Sequence, residues 1–388
     1  MNPTVILTVL KKELTDLLRD RRTMLSMVVL PVVVFPLIFA VMNRFMGEAE
    51  KKAETEATTV AIVKGSIPQA FEPALTRSGL RIVEVPDVAK AVLDKTTATG
   101  IAVSADGKLI TLFTEGTRPS SNIAAEKLRT ALNDLRDAFV LEKLRSANLD
   151  GSVLKPFAVK RENVASERKM GGQLLGTMLG YIVILLMFSG GMYPAIDMTA
   201  GEKERKTLEA LITSPARRTD LVLGKIIATV VATYATALLT TASLFFSIRK
   251  GGLEMKGMEK LIGNVPTDPQ TIAFMVLTLL PVAIMAGSLM LSIALMARGF
   301  KEAQSYLTPL IMVVIFPSLL GGLPGMELTP VLSLIPIFNS SQLLKSILQG
   351  DVQGVSFVVT NLANIVYAGI CFLLAVRSFN DEKVLFRT

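Results

Sequence analysis

The sequence predicts an α-helical polytopic membrane protein, with six transmembrane helices and an inserted α/β domain on the exported side. Three observations predict this fold class. The chain has 388 residues, of which 51% are hydrophobic and only 19% are charged, whereas soluble domains average about 25% charged residues. Six long intervals contain no Asp, Glu, Lys or Arg, and a long polar region, 44–169, separates the first interval from the second.

The first 22 residues predict an amphipathic helix. Apolar residues recur at helical spacing and charged residues occupy the other faces, a pattern typical of helices that lie in the membrane interface and do not cross it. The apolar positions are Ile6, Leu10, Leu14, Leu17 and Leu18, and the charged ones are Lys11, Lys12, Glu13, Asp16 and Arg19. The segment 1–22 is either a general membrane-surface helix or an elbow helix that braces the first span and a partner.

The six charge-free intervals are the predicted spans. A bilayer core about 30 Å thick needs about 20 mostly apolar residues per helix, and the intervals meet that length. They are 23–43, 170–196, 226–248, 269–297, 303–326 and 352–376, so that spans two to six lie within 170–378. A seventh apolar segment, 328–344, is short and contains two prolines. Because proline interrupts helical hydrogen bonding, we expect this segment to turn back within the membrane or lie at its surface.

The region 44–169 is too long and too polar to be a loop, and it predicts a separate exported domain. Strand-like and helix-like segments alternate, which indicates an α/β fold with a helix-covered sheet. Asp106-Gly107 is a hairpin turn signal between two of the strands. The predicted strands are 58–63, 80–85, 99–104 and 108–114, and the predicted helices are 67–78, 87–95 and 119–147.

Positive charge orients the spans, since Lys and Arg near span ends are retained on the cytoplasmic side. Such residues occur in four segments: the N-terminal 22 residues, the loop 197–218, a further loop with Arg298 and Lys301, and the C-terminal end, including the tail 379–388, with Arg377, Lys383 and Arg387. With six spans these segments fall on one side, so we expect both termini in the cytoplasm and 44–169 outside. The loop 249–268 carries four positive residues on the opposite side and opposes this assignment.

The composition excludes several classes of enzyme. The chain has no His and a single Cys, Cys371, which excludes imidazole-based catalysis, an intrachain disulfide and the usual zinc sites. No phosphate-binding loop of the form G-x-x-x-x-G-K-[ST] occurs, since Gly107-Lys108 and Gly224-Lys225 lack the flanking residues. We therefore expect no catalytic residue, no metal site and no cofactor bound by this chain.

The loop 197–218 contains the most informative motif. Residues 201–215 have the sequence GEKERKTLEALITSP, which predicts a short helix that ends before Pro215. A two-faced helix in a loop between two spans is suited to dock into the groove of a cytosolic partner. The apolar face consists of Leu208, Leu211 and Ile212. A solvated charge cluster is the simpler interpretation of the same residues.

With its flanks, this motif resembles the signature of type-2 ABC exporter permeases, especially the NatB-like branch that is linked to sodium extrusion. The matching residues are TLEALITSP with Arg217, Arg218, Leu221 and Gly224-Lys225, the start from Lys11 to Thr23, and the tail from Glu382 to Arg387. The plan of six spans with a large domain after the first also matches. The resemblance implies a permease of the bacterial cell (inner) membrane whose loop helix is a coupling helix, seated on a separate cytosolic ABC ATPase.

The resemblance also implies the composition of the assembly. ATP and magnesium would be bound by the partner ATPase, a second permease copy would complete a dimer, most simply a homodimer, and membrane lipids would surround the spans. No nucleic acid partner is expected. The residues implied to contact the ATPase are Glu202, Glu204, Thr207, Leu208, Glu209, Leu211 and Ser214.

The cargo is less constrained than the partner. Ionisable groups inside spans mark many transport routes, but the six intervals contain none, so a passing cation would need carbonyl or hydroxyl oxygens. The candidates for a transport path are Asp197, Thr229, Thr233, Thr236 and Thr240, and interhelical packing is the alternative role of the threonines. Three functions stay open: sodium export; export of lipids, antibiotics or other amphipathic compounds; and a non-transporting sensor or scaffold with an exported ligand-binding domain.

Overall fold

The chain forms two compact units in the computed structural model. One, the helical unit, comprises Met1–Val41 and Val164–Thr388, and the other, the inserted unit, comprises Met42–Asn163. The structure describes residues 2–64, 71–104, 109–147, 167–249, 268–321 and 328–381. The helices in chain order are α1 (Pro3–Arg19), α2 (Arg21–Met24), α3 (Leu30–Glu56), α4 (Phe71–Arg77), α5 (Val88–Leu93), α6 (Pro119–Ser146), α7 (Glu167–Ile196), α8 (Glu202–Glu204), α9 (Thr207–Ile212), α10 (Arg218–Arg249), α11 (Pro269–Leu295), α12 (Phe300–Leu320), α13 (Phe338–Gln349) and α14 (Gly354–Asn380).

Within the described ranges, six helices are long and apolar enough to cross a membrane, in agreement with the predicted number of spans. Short π-helical stretches, Leu25–Val29 and Asp197–Gly201, continue the first two of these helices. The candidate spans are Arg21–Phe45, Leu175–Glu204, Arg218–Arg249, Pro269–Leu295, Phe300–Leu320 and Gly354–Asn380. Much of the predicted loop 249–268 and of the tail 379–388 lies outside the described residues.

The second, third and fourth spans form the centre of the helical unit. In α7, α10 and α11 more than half of the most apolar stretch is buried, whereas in α3, α12 and α14 less than a third is. Large apolar side chains, among them Phe316 of α12 and Leu373 of α14, are exposed on these outer helices. In a bilayer such a surface contacts lipid, because apolar side chains are favoured there.

The segment 328–344 does not form a further span. It contains a 3₁₀ turn, Leu332–Leu334, and the first part of α13. The 12 residues of α13 extend about 18 Å at 1.5 Å per residue, well short of a bilayer core of about 30 Å. Glycines of α7 allow α13 to approach closely: Gly172, Gly176 and Gly180 face the backbone of Leu348, Lys345 and Ser341.

The inserted unit contains a four-stranded sheet in the order β2-β1-β3-β4. β1 is parallel to β2 and β3, and β3 is antiparallel to β4. The strands are β1 (Thr59–Ile62), β2 (Arg81–Glu84), β3 (Thr99–Val103) and β4 (Ile110–Phe113), each within one predicted strand. The predicted hairpin turn at Asp106-Gly107 lies outside the described residues.

Helices cover both faces of this sheet. Alternate residues of β1 point to opposite faces, and each set packs against different helices. Val60 packs in one cluster with Leu128 of α6 and Leu75 of α4. Ala61, the next residue of β1, packs with Val88 of α5. The order of strands and helices along the chain therefore forms an α/β layer arrangement.

Candidate functional site

The N-terminal helix α1 docks against the start of α10. Its buried residues Val9, Glu13 and Leu17 recur every four positions and so lie on one helical face. Val9 packs directly over Gly224 of α10, where an added Cβ would lie 2.6 Å from Val9 Cγ1. A residue with a side chain at position 224 would therefore push the two helices apart.

The buried face of α1 differs from the one that the sequence predicts. Glu13, expected on a polar face, is buried, and Leu18, expected on the apolar face, is exposed. The physical reason is a countercharge: Lys225 of α10 lies opposite Glu13, with 2.8 Å between Lys225 Nζ and Glu13 Oε1. A buried carboxylate is tolerated when an opposite charge is held against it.

Lys225 is the centre of a cluster of four charges, of which Lys12 is exposed and the other three are buried. Its ammonium is fully buried and donates to Glu13 Oε1 at 2.8 Å, to Glu202 Oε2 at 2.7 Å and to the carbonyl oxygen of Met198 at 2.9 Å. Lys12 donates to Glu202 Oε1 at 2.9 Å and to Glu13 Oε1 at 3.1 Å. Two lysines balance two glutamates in this set, Lys12, Glu13, Glu202 and Lys225, which we call the charge quartet.

The charge quartet ties α1, α8 and α10 together. Burying an ion costs several kcal/mol, which only well-made pairs and hydrogen bonds offset. Burial opposes the charge of Lys12, but its hydrogen bond to Glu202 and the attraction of Glu13 and Glu202 raise its pKa above the usual value for lysine. Lys12 is therefore charged at neutral pH, as the balance of the quartet requires.

Three consecutive residues contact four different helices. Glu202 belongs to the charge quartet and so contacts α1 and α10. Lys203 Nζ donates to the carbonyl oxygens of Leu295 and Ala297 at the end of α11. Glu204 Oε2 accepts the backbone N–H of Phe300 at the start of α12, at 2.8 Å. Positive groups are favoured at helix C-termini and negative groups at N-termini, so each charge suits the helix end that it contacts.

The predicted loop helix over 201–214 is instead two pieces. The π-helical stretch Asp197–Gly201 joins α7 to α8, so the second span continues to Glu204. Lys206 then adopts a left-handed backbone, with φ 60°, and α9 begins at Thr207. A left-handed residue cannot continue a right-handed helix, so the chain direction changes between α8 and α9.

Leu208 faces the interior of this chain. It is only 2% exposed and packs in a cluster with Leu17 of α1 and with Val222 and Ile226 of α10. The apolar face that the sequence assigns to a partner is therefore turned inward at this position. Glu202 is also buried, within the charge quartet, so neither residue presents a side chain to a cytosolic partner in this structure.

The remaining coupling candidates lie nearer the surface. Glu204, Thr207 and Glu209 are exposed, and Leu211 and Ser214 are half-buried. The side chain of Ile212 lies outside the described part of the chain. The accessible surface of the loop is therefore more polar than the predicted docking face.

The structure places the candidates for a transport path in two settings. Asp197 accepts a hydrogen bond from Arg205 at 2.8 Å, which raises the pKa of Arg205. The four threonines are fully buried, and each hydroxyl donates to the carbonyl oxygen four residues earlier in α10: Thr229 to Lys225, Thr233 to Thr229, Thr236 to Ala232, and Thr240 to Thr236. Thr233 and Thr236 pack against Gly191 and Gly190 of α7. They form part of a packed interface between α7 and α10.

Sequence reasoning missed the partners of Glu13 and Glu202, although two signals were present. Lys225 immediately precedes the third charge-free interval, 226–248, at the edge of a span. Glu13 lies four residues from both Val9 and Leu17, which are apolar and share its helical face. A charge in the middle of such a stripe indicates a buried ion pair.

Comparison with known proteins assigns the family. Residues 21–377 match the family described as "ABC-2 family transporter protein". The chain belongs to the ABC-2 transporter family. It is 26% identical to "ABC transporter permease protein NatB" of Bacillus subtilis (strain 168), over 96% of this chain and 97% of that protein. No solved structure matches the chain significantly.

Family membership confirms the resemblance that the loop motif carries. The chain is a permease component of an ABC transporter, a multi-pass membrane protein whose family works with an ABC ATPase subunit. The candidate functional site is the region that the loop motif and its contacts define. In this structure it comprises α9, the segment 202–204 and the charge quartet.

Proposed function

We propose that this chain is the permease subunit of an ATP-driven exporter and that the partner ATPase docks on the outer face of α9 and its flanks. The contacts of Glu202, Lys203 and Glu204 with four helices, α1, α10, α11 and α12, carry this proposal. The docking residues are Glu204, Thr207, Glu209, Leu211 and Ser214. Glu202 and Leu208 act inside the chain, as the links between α9 and the spans.

The proposed transmission follows these contacts. A displacement of α9 acts on α1 and α10 through Leu208, which packs against both. It acts on α11 and α12 through Lys203 and Glu204. Buried ion pairs and helix-end hydrogen bonds have few alternative arrangements, so the segment 202–204 moves together with the helices that it contacts.

The proposed topology puts both termini and α9 in the cytoplasm of a bacterial cell and the inserted unit outside. The contacts support a common side, since α1, the segment 202–204 and the connection between α11 and α12 lie together. Lys11, Lys12 and Arg298 lie in these segments, and Lys301 lies in the first turn of α12. Positive residues are retained in the cytoplasm. A homodimer in the membrane is the assembly that we propose, with lipid covering the rest of the apolar surface of α3, α12 and α14.

Sodium is the proposed cargo, supported by the resemblance to the sodium-extruding branch. Among the described residues, no group of three or more Asp, Glu or Cys side chains is arranged to hold a metal ion. The threonine hydroxyls of α10 donate to their own helix, so sodium would need oxygen atoms that become available when α7 and α10 separate, with Asp197 near one end. Amphipathic cargo is the second candidate, favoured by the large apolar surface of the outer helices.

The docking proposal is tested with the permease and its ATPase reconstituted together. We expect Glu209→Lys to lower transport-coupled ATP hydrolysis at least about tenfold, because it reverses an exposed charge on α9 without removing a buried contact. Glu142→Lys, the same reversal at an exposed position of the inserted unit, is the matched control. Equal activity of both variants would reject α9 as the docking surface.

Cargo is tested in the same vesicles. ATP-dependent sodium flux is measured in parallel with efflux of an amphipathic dye. Sodium flux without dye efflux supports the proposed cargo, and dye efflux alone assigns the amphipathic class. ATP hydrolysis with neither flux rejects both cargos, and the absence of a co-purifying ATPase favours the sensor or scaffold.

A further inference from the structure

A second buried lysine lies at the far end of the helical unit. Lys345 of α13 is 5% exposed and lies against Gly176, near the start of α7. The charge quartet lies beside Met198, at the other end of the second span. Met198 follows Gly176 by 22 positions, which correspond to about 33 Å of helix. The two lysines are therefore separated by about the thickness of a bilayer core.

Lys345 lines a polar cavity. The cavity has a volume of about 140 Å³, many times the roughly 10–15 Å³ that a single water needs. The hydrogen bond from Gln349 Nε2 to Gln173 Oε1 joins α13 to α7 at this wall. The other polar side chains of the wall include Gln342, Ser346 and Ser356.

The donors of this cavity suit an anion. Lysine supplies only donors, while glutamine amides and serine hydroxyls supply further N–H and O–H groups. The ammonium of Lys345 lies 3.4 Å from the carbonyl oxygen of Gly321, at the inner part of the site. Hydrogen bonds between a positive donor and a phosphate are about twice as strong as neutral ones.

The mouth of the cavity adds a negative charge and an apolar surface. Asp351 and Gln353 are exposed and line it, so a ligand that carries both a phosphate and an ammonium group matches both charges. Val355, which lies between the lining residues Gln353 and Ser356, is 69% exposed at the start of α14. An acyl chain bound beside the mouth would lie on this helix.

We propose that the cavity between α7, α13 and the start of α14 binds a phosphate group, carried by a lipid head group or free in solution. Lys345 holds the phosphate at the base, the amides and hydroxyls orient it, and Asp351 receives the ammonium of a zwitterionic head group. The proposal does not depend on the cargo or on docking of an ATPase, because the cavity lies at the opposite end of the spans from α9.

The absence of Trp in the chain provides a direct test. In purified full-length protein in detergent, Val355→Trp introduces a single tryptophan next to the mouth. Its fluorescence is followed during titration with sodium phosphate, with sodium chloride at equal ionic strength, with dihexanoyl phosphatidylethanolamine and with dihexanoyl glycerol. We expect saturable binding of the phosphate-containing probes only.

Comparison of the two phosphate-containing probes, sodium phosphate and the phospholipid, identifies the source of the phosphate. Binding of the phospholipid but not of inorganic phosphate assigns a lipid head group, and binding of inorganic phosphate alone assigns the free anion. Asp351→Asn is expected to weaken binding of the phospholipid and to leave binding of inorganic phosphate unchanged or tighter. Saturable binding of dihexanoyl glycerol as tight as that of the phospholipid would overturn the proposal.

Substitution of Lys345, at the bottom of the cavity, tests whether the cavity is the binding site. Lys345→Met is expected to weaken phosphate binding at least about tenfold, the loss of one charge-assisted hydrogen bond, whereas Lys301→Met, at an exposed lysine of α12, leaves it unchanged. Gln353→Ala at the exposed mouth is expected to weaken binding severalfold and serves if Lys345→Met does not fold. Unchanged affinity in Lys345→Met, or in Gln353→Ala when only that variant folds, would overturn the proposal.

Discussion

The two ends of the helical unit each bury a lysine, and the surroundings of the two lysines differ. Lys225 has two carboxylates and a carbonyl oxygen within 2.9 Å. Lys345 lies beside a carbonyl oxygen at 3.4 Å and lines a cavity of about 140 Å³. The comparison shows that burial alone does not define the role of a charge: one lysine joins three helices, and the other lines a space that a ligand can enter.

The largest expected effect is on stability at the quartet end. Lys225→Met removes the buried countercharge of Glu13 and Glu202, and breaking a buried pair typically costs about 3–5 kcal/mol. Lys345→Met is expected to cost less, because the cavity admits water beside the substituted side chain. Thermal unfolding of both variants in the same detergent measures the difference, and equal losses would remove the distinction between the two lysines.

The next effect separates the ion pairing of Glu13 with Lys225 from the packing of their side chains. Glu13→Gln combined with Lys225→Met restores neutrality and keeps the pair of Lys12 with Glu202, which are 2.9 Å apart. We expect the double variant to be more stable than the sum of the single losses by about 0.5–3 kcal/mol, the usual range for residues in one network. Strict additivity in the double-mutant cycle would show that the quartet does not act as one network.

The smallest effect concerns Asp20, a half-buried charge just before α2. Asp20 accepts the backbone N–H groups of Thr23 and Arg22 and so caps the start of α2. Burial raises its pKa, but these hydrogen bonds and that of the Thr23 hydroxyl lower it below the usual value. Asp20→Ala is expected to cost about 1 kcal/mol at neutral pH.

The sign of the pH dependence follows from the lowered pKa of Asp20. A carboxyl whose pKa is lower in the folded state than in the unfolded state stabilises the protein when the pH is above the unfolded-state pKa, near 3.9. This stabilisation is lost as the pH falls through the folded-state pKa. The difference in melting temperature between wild type and Asp20→Ala should therefore shrink in acid. A difference that is independent of pH would show that the cap does not act through its charge.

Much of the fold could be predicted because its signals are local. Each span is a charge-free interval long enough to cross a bilayer, and each strand of the inserted unit is a short apolar run between turn residues. The family could be predicted because the loop motif and its flanks are contiguous in sequence.

The rest depends on contacts between distant residues. Glu13 and Lys225 are 212 positions apart, and a single sequence does not reveal that they pair. The left-handed backbone of Lys206 is uncommon for a residue other than glycine, so the pattern of 201–214 predicts one helix where the structure has two. The cavity at Lys345 exists because α13 folds back on α7, which the pattern of 328–344 indicates only in outline.

The central claim, that α9 is the surface through which the ATPase acts on the spans, is tested most directly by cross-linking. In a Cys371→Ser background, Glu209→Cys places one thiol on α9 and Glu142→Cys places one on the inserted unit. A short thiol-to-amine cross-linker applied to the reconstituted complex should join the ATPase to the protein with Glu209→Cys and leave the protein with Glu142→Cys unjoined. A cross-link from position 142, or none from position 209 while the complex hydrolyses ATP, would contradict the account.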